Sequence, residues 1–111
     1  MALGKVDSET NGKIFSFCTE VSEMDCFNPA ENRFRLRDTL HTLYLHGKTV
    51  FDGRVYVMHR KADMVERSGW SRSNFTKAVE TLVNARVVEA VDNTPQGFVG
   101  VYLPDPGFRL A

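Results

Sequence analysis

Residues 64–75 of this 111-residue chain read MVERSGWSRSNF, and they carry the strongest indication of the fold class. A short helix is predicted over residues 60–68, and Gly69 interrupts it. Glycine can adopt the left-handed conformation that is needed between two helices crossing at a steep angle. Trp70 is expected to fill the space between these helices, and Ser71 can cap the second one through its hydroxyl. The stretch therefore predicts two helices joined by a tight turn.

The second of these helices carries the strongest amphipathic pattern in the chain. It is predicted over residues 72–85, and its apolar residues recur at helical spacing: Phe75, Ala78, Val79, Leu82 and Val83. Arg86 stands where a glycine often ends such a helix. One face of this helix is thus expected to belong to the core.

Outward on the N-terminal side, a further helix is predicted over residues 29–46. Residues 28–31 read NPAE, which combines a cap residue, a proline at the first helical position and a glutamate three residues after the cap. Its buried face is expected to consist of Leu36, Leu40, Leu43 and Tyr44. Residues 1–12 are small and polar and are expected to be loose, whereas residues 14–18 could form a strand.

Strand-like runs surround the two central helices. Around Asp52-Gly53, either a small hairpin or one short strand at residues 55–58 fits the sequence. After the amphipathic helix, the runs 87–91 and 98–103 flank a turn-rich loop, which indicates a β-hairpin. Phe108 and Leu110 could anchor the tail.

The net charge of zero comes from 14 Lys and Arg against 14 Asp and Glu, and it is unevenly distributed. Residues 1–31 carry two Lys against six acids, which gives −4. Residues 32–86 carry 11 Lys and Arg against five acids, giving +6, and residues 87–111 carry one Arg against three acids, giving −2. A basic block in the middle of the chain is the kind of asymmetry that a nucleic-acid footprint produces, although chance clustering would also explain it.

Residues 64–75, followed by Lys77-Ala78-Val79, Leu82-Val83 and Val87-Val88, resemble the winged helix-turn-helix family. Regulators of the MarR and GntR type show a similar run, as do winged-helix domains of phage and plasmid replication proteins. The resemblance implies an α+β fold with about three helices, a short strand before the second helix and a C-terminal β-hairpin as the wing. It extends over residues 55–103 and more loosely from residue 29, and it departs from the family at Val65, Ser68 and Arg86.

By this resemblance, the helix at 72–85 enters the major groove of double-stranded DNA. The expected DNA-binding residues lie on this helix and on the one before it: Ser71, Arg72, Ser73, Asn74, Thr76, Lys77, Arg60, Lys61 and Arg67. Hydroxyl and amide groups can bond phosphates or base edges, and Arg or Lys can neutralise phosphate or bind guanine. Arg33, Arg35 and Arg37 are expected to add phosphate contacts.

Two features favour a different function, that of a winged-helix adaptor that binds a protein such as a host or replication factor. Glu80 lies on the outer face of the helix, where it would repel phosphate. The loop at 92–97 holds no Lys or Arg and one Asp. An ordinary solvated helix face is the plainest alternative to both functions.

The sequence gives little support to catalysis or metal chemistry. Seven residues separate Cys18 from Cys26, and His41 and His46 stand at i and i+5, so neither pair suits zinc well. Both cysteines are expected to be small buried residues. No catalytic triad or phosphate-cradling glycine loop is evident, so we expect neither an enzyme nor a cofactor.

We expect a cytoplasmic protein, because the sequence shows neither a signal peptide nor an apolar run long enough for a membrane span. The expected divisions are an N-terminal segment (1–28), a winged helix-turn-helix domain (29–104) and a tail (105–111). Apolar residues of the N-terminal segment could cover the core. They could instead contribute to a homodimer through residues 14–46 or bind a protein partner.

Overall fold

The computed structural model describes residues 7–24, 27 and 32–110. Within these ranges the protein is α+β, with four helices and one four-stranded antiparallel sheet. In chain order the elements are α1 (Ser8–Ser22), α2 (Arg33–Leu45), β1 (Lys48–Thr49), β2 (Val55–Arg60), α3 (Lys61–Ser68), α4 (Arg72–Asn84), β3 (Glu89–Ala90) and β4 (Phe98–Leu103). The α+β class is confirmed, but the count of about three helices is too low.

The additional helix is α1, and it corrects two predictions. Residues 14–18 are helical, not a strand, and the helix already begins at Ser8, within the segment expected to be loose. The side chain of Asp7 caps it by accepting a 2.7 Å hydrogen bond from the Thr10 amide. Ile14, Cys18 and Val21 form its buried face at helical spacing, but the exposed Phe15 among them obscured that spacing in the sequence.

The helix α2 packs against α1 and buries the predicted face of Leu36, Leu40, Leu43 and Tyr44. The phenol of Tyr44 donates a 2.7 Å hydrogen bond to the Pro104 carbonyl, which ties α2 to the end of β4. As described, α2 begins at Arg33 after Asn32. The predicted cap at residues 28–31 lies outside the described residues.

The sheet has the strand order β1-β2-β4-β3, and all neighbours are antiparallel. Of the two alternatives around Asp52-Gly53, the hairpin is the observed one: Thr49 pairs with Val55, and Gly53 takes a φ of +86° in the turn. The predicted hairpin after α4 is confirmed, and β4 has the predicted bounds. Its partner β3 is only two residues long, where five were predicted.

The core lies between the helices and the sheet and is closed by the tail. Its largest fully buried side chains include Tyr44, Phe75, Ile14, Leu36, Leu40, Leu43, Met64 and Leu82. Leu110 is also buried, and its amide donates to the Thr49 hydroxyl at 3.0 Å. Within the described ranges, no helix is both long and apolar enough to span a membrane.

The C-terminus of α4 ends in a left-handed residue that is not glycine. Arg86 has a φ of +63°, its amide bonds the Val83 carbonyl, and the Val87 amide bonds the Leu82 carbonyl. These two bonds form a Schellman motif, in which glycine is the favoured left-handed residue. Arg86 therefore carries a backbone cost that glycine would avoid.

We expect Arg86→Gly to raise the free energy of unfolding by about 0.5–1 kcal/mol, because glycine adopts the left-handed conformation without strain. Chemical denaturation measures this change. Lys77→Gly is the control, because a glycine inside α4 should instead destabilise the protein by about 1 kcal/mol. Equal or lower stability of Arg86→Gly would contradict the interpretation.

Candidate nucleic-acid interface

The turn between α3 and α4 sets the direction of α4. Gly69 ends α3 in the left-handed conformation, with a φ of +78°. The Ser71 hydroxyl accepts a 3.1 Å hydrogen bond from the Asn74 amide, so the predicted cap is confirmed. Trp70 is half-buried, and its indole N–H donates to the Asp38 carboxylate of α2 at 3.0 Å. The tryptophan thus fastens the turn to α2.

The two sides of α4 differ sharply in burial. Phe75, Ala78 and Leu82 are fully buried in the core. The opposite side is exposed along its whole length, and it carries Arg72, Ser73, Lys77, Glu80 and Asn84, with Thr76 and Thr81 half-buried beside them. Four of the predicted site residues, Arg72, Ser73, Thr76 and Lys77, are therefore brought together on one accessible surface.

Asn74 already has a partner within the protein. Its side-chain oxygen accepts a 3.2 Å hydrogen bond from the Arg35 guanidinium, which also donates to the Asn32 side chain at 3.0 Å. This bridge links the start of α2 to the first turn of α4. No pattern along the chain predicts this bridge, because Arg35 and Asn74 are 39 positions apart. Asn74 keeps its amide nitrogen as a donor, but its oxygen is occupied.

The start of α3 lies next to the outer face of α4. The Lys61 amide donates to the Gly97 carbonyl at 2.9 Å, which joins α3 to the loop between β3 and β4. Burial lowers the pKa of the Lys61 ammonium, nearby Arg72 lowers it further, and Glu80 opposes the shift. Lys61, Arg72 and Glu80 are thus electrostatic neighbours, and exposed Arg60 precedes them.

The remaining predicted cations are not all available to this surface. Arg67 is exposed at the end of α3, where it lies close enough to lower the pKa values of His41 and His46 on α2. Arg37 pairs with Asp38 at 3.0 Å and stacks between the rings of Phe15 and Phe34. Arg35 and Arg37 therefore have internal partners that compete with phosphate.

The loop between β3 and β4 is exposed and carries no cation. Asp92, Asn93, Pro95, Gln96 and Gly97 are all exposed. Asn93 takes a φ of +60°, and the Thr94 hydroxyl donates to the Val91 carbonyl at 2.8 Å, so the loop is shaped by its own turn chemistry. It presents polar groups but no positive charge.

A pair of histidines with closely packed, tilted rings, which sequence reasoning missed, lies beside the start of α3. The rings of His46 and His59 are 4.3 Å apart, and His59 Nε2 is 3.2 Å from the Asp63 carboxylate. Burial lowers the pKa of His46, with His59 and Arg67 adding to the effect and Asp63 opposing it. The residue after His59, Arg60, is the N-cap residue of α3.

Cys18 is a free, buried thiol, and burial raises its pKa, which agrees with the prediction of a small buried residue. Cys26 lies outside the described residues. Over the described part of the chain, no group of three or more His, Cys, Asp and Glu side chains could hold a metal ion.

Comparison of the chain with protein-family models, curated proteins and solved structures gives no match. The site is therefore defined by its own geometry: an exposed face on α4, the start of α3 beside it, and an uncharged loop joined to that start.

The lowered pKa values of His41 and His46 predict a pH-dependent stability. Unfolded histidines titrate near pH 6.5, above the folded values, so the unfolded state binds more protons as the pH falls. The preference of the folded state for neutral His41 and His46 contributes fully to stability above about pH 6.5. This contribution is lost as the pH falls from the unfolded pKa to the folded pKa. Urea denaturation at about pH 7.5 and pH 5.5 should show this loss.

The variant His46→Phe should show a smaller loss, because phenylalanine can stack on His59 without being protonated. An unchanged difference between the two pH values in this variant would exclude His46 as a source of the effect.

Proposed function

We propose that the protein binds double-stranded DNA through α4, as a small transcriptional or replication regulator of bacterial, phage or plasmid type. The proposal rests on the difference in burial between the two sides of α4. Its inner side is fully buried, and its outer side leaves Arg72, Ser73 and Lys77 exposed together. A helix held in this way can enter a major groove without rearranging the core.

The arrangement around α4 supports a winged helix-turn-helix protein. In the family resemblance, two helices and a tight turn are followed by a hairpin, and the strand before the first helix joins the sheet. Here α3 and α4 flank the turn, β3 and β4 form the hairpin, and β2 lies on the other side of β4. In this proposal the hairpin of β3 and β4 is the wing, and α1 is an addition to the family core.

The electrostatics of Lys61 also favour a phosphate. Its ammonium is partly desolvated and lies near the Arg72 guanidinium, and both effects disfavour its charge. A phosphate between the two cations would offset their repulsion and stabilise both charged forms. Lys61 and Arg72 are therefore proposed as phosphate contacts, together with Arg60.

The proposed base-reading residues are Ser73, Thr76 and Lys77, with the Asn74 amide nitrogen beside them. The Ser71 hydroxyl caps α4 and contributes mainly to its position. Arg67 lies toward α2, and it is proposed to contact the DNA backbone at the margin of the interface. A homodimer through residues 14–46 would present two such helices to a two-fold symmetric site.

The double variant Arg72→Ala/Lys77→Ala should weaken binding to a random duplex and reduce the salt dependence. On a random duplex, which lacks a preferred base sequence, Lys77 is expected to neutralise phosphate as Arg72 does, so the loss of both cations should reduce the slope of log K against log salt by about 2. Fluorescence anisotropy with a labelled duplex at several salt concentrations measures both quantities.

The matched control is Lys48→Ala/Arg109→Ala, which removes two exposed cations at β1 and in the tail. This control should leave the slope nearly unchanged. If the control and the α4 variant lost equal slope, binding would depend on net charge and not on α4. Absence of binding by the wild type at about 50 µM protein and low salt would reject DNA binding.

A protein-binding adaptor is the second candidate, and Glu80 is the observation that favours it. Glu80 is exposed on the outer face of α4, and the neighbouring loop offers Asp92 but no cation. Such a surface is less basic than a DNA-binding one usually is. In this function α4 would present a mixed polar face to a partner protein.

The variant Glu80→Gln separates the two functions. If α4 lies in a groove, removing the carboxylate should tighten binding to a random duplex several-fold, because a like charge no longer faces the phosphates. Anisotropy at about 0.1 M salt measures the change. Unchanged or weaker binding would place Glu80 outside the DNA contact and favour the adaptor.

A further inference from the structure

The tip of the β1–β2 hairpin presents a fully exposed phenylalanine, Phe51. The tip is held in one shape: the Val50 amide bonds the Arg54 carbonyl at 2.8 Å, and the Arg54 guanidinium bonds Asp52 at 2.8 Å. Burying such a ring would supply roughly 1.5–3 kcal/mol of hydrophobic stabilisation, which is lost while the ring stays in water. A turn position does not require an aromatic residue, so a ring presented on this hydrogen-bonded turn has the character of a binding anchor.

A groove lies between α1 and the tail. Its volume is about 560 Å³, and its apolar lining is formed by Phe17, Pro106 and Phe108. The Lys13 ammonium is 5.9 Å from the centre of the Phe108 ring. Gly12 also lines the groove, and a Cβ at this position would meet no atom within 4 Å, so the space beside it is open. The groove can therefore accept an aromatic ring from outside.

The hairpin tip and the groove adjoin on the surface of the molecule. A Cβ placed on Gly53 would meet the Asp105 carboxylate, and the next residue, Pro106, lines the groove. When two unlike patches lie side by side on one molecule, a two-fold axis can place the first patch of each copy against the second patch of the other copy. The same contact then forms twice. This placement favours a second copy of the chain as the occupant.

We propose that Phe51 of one copy inserts into the groove of a second copy, and that the second copy does the same in return. Asp52, next to Phe51, then approaches Lys13, the cation of the groove. This contact set differs from the broad range 14–46 considered above, because it uses only α1 from that range and adds the hairpin tip and the tail.

The dimer is expected to be weak. Two phenylalanines bury about 150–250 Å² each, well below the roughly 1,200 Å² of a stable interface. Glu9 and Glu20 also line the groove and oppose Asp52, so association is expected only at tens of micromolar or above, on the order of 10–100 µM.

Dimerisation at this end leaves the outer face of α4 free. Phe51 precedes β2, whereas Arg60 ends it, and six residues of strand separate them by roughly 20 Å. The inference does not require DNA binding, and it can fail or succeed independently of the proposed function.

Sedimentation velocity of the full chain up to about 500 µM tests the proposal. The wild type should show a concentration-dependent dimer, and Phe51→Ala should remain monomeric. The control is Phe98→Ala, which removes an exposed phenylalanine at the other end of the sheet and should dimerise like the wild type. Gly12→Gln should fill the groove and abolish the dimer, whereas Gly12→Ala should retain it.

A mixture of Phe51→Ala with Gly12→Gln tests the reciprocal arrangement. The first variant keeps an open groove and the second keeps its Phe51, so a mixed dimer retains one of the two contacts. The mixture should associate more than either variant alone and less than the wild type. A monomeric wild type at about 500 µM, or a Phe51→Ala dimer as strong as the wild type, would overturn the proposal. If Gly12→Gln dimerised as strongly as the wild type, Phe51 would not occupy this groove, and the proposal would likewise be wrong.

Discussion

The hydrogen bond from Trp70 to Asp38 and the left-handed turn at Gly69 together determine where α4 points. The turn alone would allow α4 a range of directions relative to α3. Because the indole also holds α2, and Arg35 joins α2 to Asn74, the first turn of α4 is fixed at two places. The burial of Phe75, Ala78 and Leu82 then fixes the rotation of the helix about its axis.

This constraint has a direct consequence for the charges. Once α4 is fixed, Arg72 lies near Lys61, and their repulsion adds to the burial that lowers the pKa of the lysine. The protein thus maintains an unfavourable pair of cations at an accessible surface. Glu80 relieves part of that cost in the free protein, and it is also the group that would oppose a phosphate. The same carboxylate therefore favours the unbound state and limits non-specific affinity for DNA, in the function proposed for this surface.

The basic block of the sequence divides into two groups in space. Arg35, Arg37 and Arg54 are held by internal partners, namely Asn74, Asp38 and Asp52. The exposed cations Arg60, Arg72 and Lys77 lie at or near α4, with Lys61 beside them. The excess of +6 over residues 32–86 therefore overstates the charge available to a partner. Specific contacts and pairing of two copies would have to supply most of any tight binding.

The elements that depend on local rules could be predicted from the amino-acid sequence alone. The left-handed glycine, the cap at Ser71 and the period of the apolar residues predicted α3, the turn and α4 almost to the residue, because each rests on near neighbours along the chain. The α+β class and the last hairpin followed from the same kind of signal. In α1, by contrast, the pattern of Ile14, Phe15, Ser16 and Phe17 resembled the alternation of a strand. Only the packing of α1 against α2 shows that Phe15 lies outside the buried face of a helix.

Which predicted site residues share a surface, and which already have a partner within the protein, depends instead on how the helices and the sheet pack together. Arg35 with Asn74, Trp70 with Asp38, and His46 with His59 are pairs separated by between 13 and 39 positions. The exposed tip at Phe51 beside the groove is a further example. Such contacts form between segments that are distant along the chain, and no local sequence pattern predicts them. They can therefore be identified only once the chain has packed.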